Sequence, residues 1–410
     1  MTKLAIDGGP AAITRPLTDG KKWGADELKE VIDVFESGGY YRYDGSKVVA
    51  FEEAFRKAYG ARHAVASTSG TAAIHVAVGM LNPEPGTEII TGPITDIGSI
   101  VPILYQQCIP VFADTDPDTF CMDPKSIERC ITPRTSAIMP VHLFGNACNM
   151  DAIMKIAAKH KLPVIEDCSQ AHHTLYKGKL CGNIGDIGAF SLQASKHITT
   201  GEGGMTITNR KALAERGAFF MDKGWARGGW GPRAYQFLGL NYRMSELQGA
   251  VGCGQIRKLA GVTEARNRNG DLLTKLIGDL PGVKPQKASP GTKMTYWQYG
   301  MAVQSDAKYT PTDFAQALSA EGVGAGVGYI GKPIFLCAEA CWNKKTLGKS
   351  GLPYSLPDVP EVEYDDDTCP KTVDLLSRMI TMGMSEFYTE DDVRLLADAI
   401  TKVATGLDAC

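Results

Sequence analysis

The sequence predicts an α/β fold: a mostly parallel sheet covered on both faces by helices, with a second, smaller α+β unit after it. Three observations carry this. Between about residues 60 and 210, short apolar runs alternate with helix-like segments. The runs are apolar throughout, as in strands buried on both faces, rather than on every second residue. After "DLPGVKP" the composition shifts to one strand-like run and one helical run.

In chain order, residues 24–37 and 48–59 carry helical spacing. "HAVAS" reads as a strand and "GTAAIHVAVGML", rich in good helix formers, as a helix. "EII", "CIPVFAD" and "SAIMPVH" read as strands, "MDAIMKIAAKHK" as a helix and "LPVIED" as the next strand. "GDIGAFSL" and "GMTITN" are short strands on either side of a lysine and a glycine-rich run. A loop rich in glycine and aromatics precedes a long helix from about Met244 to Ile277. "MTYWQYGMAV" reads as a strand and "PTDFAQALSAEG" as a helix, while 342–372, with the run "EVEYDDD", reads as an extended surface segment. The expected division is 1–279 for the large unit and 280–410 for the small one. The length of 410 residues agrees with about two to three domains.

Composition narrows the function classes. A net charge of -3 argues against a nucleic-acid coat or a polybasic membrane patch. The eleven cysteines are irregularly spaced, and the pair Cys337 and Cys341 alone does not make a metal site, so none is expected. The first residues lack a charged-then-apolar leader, and no apolar run approaches the ~20 residues that span a bilayer. A soluble, cytoplasmic protein with mostly buried thiols is expected.

Three local patterns carry chemistry. In "SGTAAIH", Ser69 caps a helix that opens with Gly70 and Thr71; taken alone this is an ordinary N-cap, and with a ligand present it is an anion cradle. No Walker loop and no dinucleotide fingerprint occurs. In "VIEDCSQAHH", Asp167 ends a buried strand, where open parallel sheets bind ligands; it is either a turn former or the partner of a cationic ring nitrogen. Lys196 follows a strand end and precedes "GEGG". Most lysines are solvated, but burial supplies the neutral amine that attacks a carbonyl. One cofactor has the three matching handles, a phosphate, a pyridine nitrogen and an aldehyde: pyridoxal 5'-phosphate (PLP).

These motifs, with "VHLFGNACNMDAIMKIAAKHKLPVIEDCSQA", "GDIGAFSLQASKHITTGEGGM" and "LGLNYRMSELQGAVG", resemble the DegT/DnrJ/StrS family of PLP-dependent sugar aminotransferases, over most of the chain. The resemblance implies a fold-type I transferase with a seven-stranded sheet. It implies that Lys196 is the Schiff-base lysine and Asp167 the ring-nitrogen partner. Gln170 matches a position near the ring hydroxyl, and Ala171 one close to the ring. Ser69, Gly70, Thr71 and Ser191 match phosphate contacts. Asn241 matches a residue that reaches the phosphate of a neighbouring subunit, so a homodimer is implied. Tyr41, Asp96, His197 and Tyr329 are the expected substrate contacts, and Asp96 is also an expected cofactor contact that shapes the ring's electronics.

The chain departs from that pattern at two places. Asp96 stands where the family stacks an aromatic on the ring, and Gly328 stands before Tyr329 where a histidine is common. The segment from about 336 to 370 is longer and more acidic than usual. The resemblance implies transfer of an amino group from glutamate or glutamine to a keto or aldehyde sugar, a keto-cyclitol or a keto-octulosonate. The Asp96 change leans toward an acceptor without a nucleotide. The alternatives are a PLP-dependent sugar dehydratase, whose relatives carry histidine where Lys196 stands, and a PLP-binding regulatory protein without turnover.

Overall fold

The computed structural model describes residues 3–227 and 233–408. Seven strands form the central sheet: β1 (His63–Ser67), β2 (Glu88–Thr91), β3 (Ile109–Phe112), β4 (Thr135–Met139), β5 (Ile165–Asp167), β6 (Ile187–Ser191) and β7 (Gly204–Thr208). Their order is β1-β7-β6-β5-β4-β2-β3, with β5 joined to β4 by parallel bridges at Ile138–Val164 and Val141–Asp167. Only β7 runs antiparallel to its neighbours, because the Lys196 loop turns the chain straight back beside β6.

Helices α1 (Ala25–Ser37), α2 (Lys47–Tyr59), α3 (Gly70–Leu81), α4 (Met150–His160) and α5 (Lys211–Phe220) precede the long α6 (Glu246–Ile277). Most of α3 is buried, from Ala72 to Met80, so its sequence is apolar on every side rather than amphipathic. α6 begins two residues after Met244 because Ser245 and Gln248 form a capping box there. The fully buried Glu246 accepts from the backbone N–H groups of Lys47 (2.6 Å) and Val48 (3.1 Å), placing a carboxylate at the positive end of α2.

A second, antiparallel sheet follows the order β8 (Val283–Pro285), β9 (Gln298–Val303), β11 (Met379–Gly383), β10 (Ala325–Val327). With α7 (Pro311–Ala320) and α9 (Glu390–Asp408) it encloses its own core around Met301, Phe314, Ile380 and Leu396. Packing crosses the expected division near residue 280 at two places. The end of α6 (Leu273, Ile277) and the start of the chain (Leu4, Ile13) both belong to this second core.

The opening residues form a strap between the two sheets. Ala5 and Ala12 N–H donate to the carboxylate of Glu321 (2.8 and 2.7 Å), and Arg15 pairs with Asp392 (2.7 Å). Lys22 Nζ then donates to the carbonyls of Ala194 and Lys196, and Trp23 Nε1 donates to Thr199 O (3.1 Å).

The segment 342–372 is not simply an extended surface run. α8 (Pro370–Arg378) begins within it, and Tyr354, Tyr364 and Cys369 join Phe335 and Cys341 in a small core against Phe112. The acidic residues Asp365, Asp366 and Asp367 remain exposed. Among the described residues, no helix is long and apolar enough to cross a membrane.

Candidate active site

A cavity of about 420 Å³ opens at the carboxyl ends of β1, β5 and β6. That volume lies in the range of small-molecule sites, ~300–1,000 Å³. The register of the sheet brings its walls together. Ser67 and Ser191 both pair with Gly204, and Asp167 pairs with Ala189 on one side and Val141 on the other. Residues distant in sequence, Ser69–Thr71, Asp167 and Lys196, thus share one wall.

At the phosphate-sized end, Ser69 Oγ accepts from Ala72 N–H (3.0 Å) and starts α3. The N–H groups of Gly70 and Thr71 stand in the first turn, where no intrahelical acceptor exists. A Cβ on Gly70 would lie 2.6 Å from Ser191 Cβ, so only glycine lets the helix start approach that hydroxyl. Gly70→Ala is expected to cost about 1–3 kcal/mol of unfolding free energy through this overlap. It is also expected to weaken PLP uptake; denaturant unfolding and a cofactor titration read the two effects.

Asp167 is buried and held at both oxygens. Oδ2 accepts from Ser99 Oγ (2.7 Å), which is itself paired with Thr95 Oγ1 (2.7 Å), and Oδ1 accepts from Ser169 N–H (3.0 Å). Gln170 Oε1 accepts from Phe144 N–H (3.0 Å) and its Nε2 donates to Tyr329 Oη (3.2 Å), so this side chain is fixed between the two units. Tyr329 has φ 53°, a left-handed conformation that a tyrosine rarely adopts. Gly328 and Gly331 at φ 76° and 79° share that turn, which aims the ring into the cavity.

Lys196 is half-buried, with its ammonium 3.7 Å from the centre of the Trp297 ring. Burial pulls its pKa down to about 8, against the opposing pull of Asp167 and Asp96. The neutral amine therefore becomes abundant as pH rises through 8 rather than through 10.5. PLP uptake by the cofactor-free protein is expected to quicken from pH 6.5 to about 8.5 and then level off, checked by stopped-flow absorbance.

Not every expected residue meets the cavity. Ser69, Gly70, Thr71, Asp96, Asp167, Gln170, Ser191, Lys196 and Tyr329 line it. His197 does not, because successive loop residues face opposite ways. It is fully buried with Nε2 on Thr295 O (3.0 Å), and burial holds it well below the usual histidine range. Ala171 is buried behind the wall. Tyr41 instead accepts from Arg227 (2.6 Å) in a cluster where Asp222 binds Arg227 and Arg243. Asn241 is exposed and bridges Asp222, outside this chain's cavity.

The reading of motifs missed Ser99, Trp297, Gln193, Ser195 and Glu202, which also line the cavity. Ser99 carried one signal, its place in the turn "TDIGS" beside Asp96. His142, Glu166 and Cys168 are clustered, but both ring nitrogens of His142 are in use, one with Glu166 (3.0 Å) and one accepting from Cys148 N–H (3.0 Å).

The DegT/DnrJ/EryC1/StrS aminotransferase family matches residues 21–350. The chain belongs to this family. Among its relatives, the L-glutamine:2-deoxy-scyllo-inosose aminotransferase of Streptoalloteichus tenebrarius is 36% identical, covering 98% of this chain and 97% of the relative. The spore coat polysaccharide biosynthesis protein SpsC of Bacillus subtilis is 31% identical, over 94% and 96%. The structure superposes on the aminotransferase from Psychrobacter cryohalolentis with a TM-score of 0.82 and 28% identity, covering 96% of this chain and 100% of that one. The aminotransferase is thus a fold-type I enzyme, and PLP is its cofactor. The cavity fits that group: a glycine-only cradle beside Ser191, a carboxylate fixed at both oxygens and a lysine of lowered pKa converge on it.

Proposed function

We propose that the aminotransferase moves an amino group from glutamate or glutamine to the keto or aldehyde group of a sugar-like acceptor. Bound PLP supplies an aldehyde that takes up the amino group and a ring that draws off the electron pair released at the donor carbon. Lys196 would hold the cofactor through that aldehyde, and its amine, when free, would move the proton at the donor carbon. Asp167, held by Ser99 and Ser169, keeps a proton on the ring nitrogen. Gln170 steers the ring edge, and Ser69, Gly70, Thr71 and Ser191 hold the phosphate.

One observation carries this reading: Lys196, Asp167 and the start of α3 line a single cavity of about 420 Å³. The retained lysine disfavours the dehydratase alternative. The intact Lys196, Asp167 and Gln170 disfavour a sensor without turnover.

In this reading the working form is a homodimer in the cytoplasm. Leu28, Ile32 and Phe35, four and three residues apart on one face of α1, are 61%, 45% and 63% exposed, and the exposed Asn241 is available to a partner's phosphate site. Glutamate or glutamine is expected to bleach the visible band of the PLP-loaded enzyme, and a keto-sugar or keto-cyclitol to restore it. No bleaching by either donor overturns the proposal.

A further inference from the structure

We propose that Trp297 and Asp96 form the acceptor-ring subsite, in which Trp297 packs on the ring's C–H face and Asp96 accepts from a hydroxyl or ammonium on its edge. The ring that fits carries no phosphate or carboxylate at that edge. This deepens, and rests on, the aminotransferase reading.

Trp297 enters the cavity just before β9, 101 positions after Lys196 in sequence. Its Nε1 donates to Ser195 O (3.0 Å), which fixes the indole against the lysine loop. The ring centre lies 3.7 Å from Lys196 Nζ, the amine that works at the cofactor carbon where the amino group is given and received. When Lys196 turns to the cofactor carbon, bonded to it or moving a proton there, this aromatic face is left to whatever occupies the cavity. Aromatic faces attract polarised C–H groups and cations alike, and both are features of aminated polyols.

Asp96 supplies the second, independent half. Its Oδ1 accepts from Gly98 N–H (2.8 Å), while Oδ2 takes no hydrogen bond among the described residues. The carboxylate is exposed and lines the cavity, as does Glu202. The charged side chains of the wall are Asp96, Asp167, Glu202 and Lys196; no arginine lines it among the described residues. Asp167 is committed to the cofactor ring and Lys196 to the cofactor carbon, bonded to it or relaying its proton, and the cofactor's phosphate adds further negative charge. An anionic substituent beside Asp96 therefore meets like charge, whereas a hydroxyl or ammonium makes a charge-assisted hydrogen bond.

The test is calorimetric binding to the enzyme in its pyridoxamine phosphate form, with three probes that cannot open to a carbonyl: methyl glucoside, methyl glucosaminide and methyl glucuronide. For the wild type, the glucuronide is expected to bind about tenfold more weakly than the other two. Asp96→Asn is expected to close that gap to within about twofold. Trp297→Leu is expected to weaken the glucoside about tenfold, and Trp297→Phe, which keeps an aromatic face, by no more than about threefold. Melting curves establish that each variant is folded. The proposal is overturned by a glucuronide that binds the wild type as tightly as the glucoside, by a Trp297→Leu affinity equal to that of Trp297→Phe, or by no binding of any probe. Glutamate bleaching of the wild-type band tests the underlying transfer reaction separately, so the two ideas fail independently.

Discussion

Lys196→Ala is expected to abolish the visible band of lysine-bound PLP and to slow amino transfer by at least about 10³-fold. Among the described residues Lys196 is the one amine in the cavity wall, and burial brings its pKa down to about 8. Its loss removes both the nucleophile and the group that relocates the proton, and a water in the vacated space replaces neither at the same position. The fold should survive, because β6 and β7 pair through their backbones and the Lys196 side chain makes no hydrogen bond to either among the described residues. Absorbance spectroscopy of the PLP-soaked variant and single-turnover kinetics with glutamate check the two effects. A persisting band would sink the assignment.

Asp167→Asn should leave that band in place, since Lys196 is untouched, yet slow the glutamate-driven bleaching by about 10²- to 10⁴-fold. Asparagine has the same shape: its Oδ1 can still accept from Ser169 N–H, and its Nδ2 can donate to Ser99 Oγ, whose own hydrogen turns to Thr95 Oγ1, so the fold should hold. The effect is chemical: a neutral amide no longer keeps the ring nitrogen protonated, and the electron sink weakens. Bleaching within about tenfold of the wild-type rate would show that Asp167 is structural.

Much of the sheet was legible because its strands are buried on both faces and read as unbroken apolar runs. Asp167 could be placed because a carboxylate that ends such a run must stand at the ligand edge of a parallel sheet. Direction was not legible: nothing in "GMTITN" encodes that β7 runs antiparallel, which follows from the length of the Lys196 loop. Ser99 was hidden because its bond to Asp167 spans 68 residues and depends on how β2 and β5 stand in the sheet. Trp297 was hidden for the same reason, since an aromatic just before a strand reads as ordinary core. His197 misled because adjacency to Lys196 in sequence suggested a shared face, and the loop turns the two apart. The segment 342–372 misled because its core-packed aromatics, the partly buried Tyr354 and the buried Tyr364, follow neither helical nor strand spacing.

The strap of residues 5–23 ties the reactive loop to the outer sheet. Glu321 and Asp392 grip its first half, and the Lys196 and Thr199 carbonyls receive its second. Swinging the smaller unit as a substrate enters would therefore tug directly on the backbone that carries the working amine. A shortened chain beginning at about residue 24 would keep every cavity side chain and still lose that mechanical link.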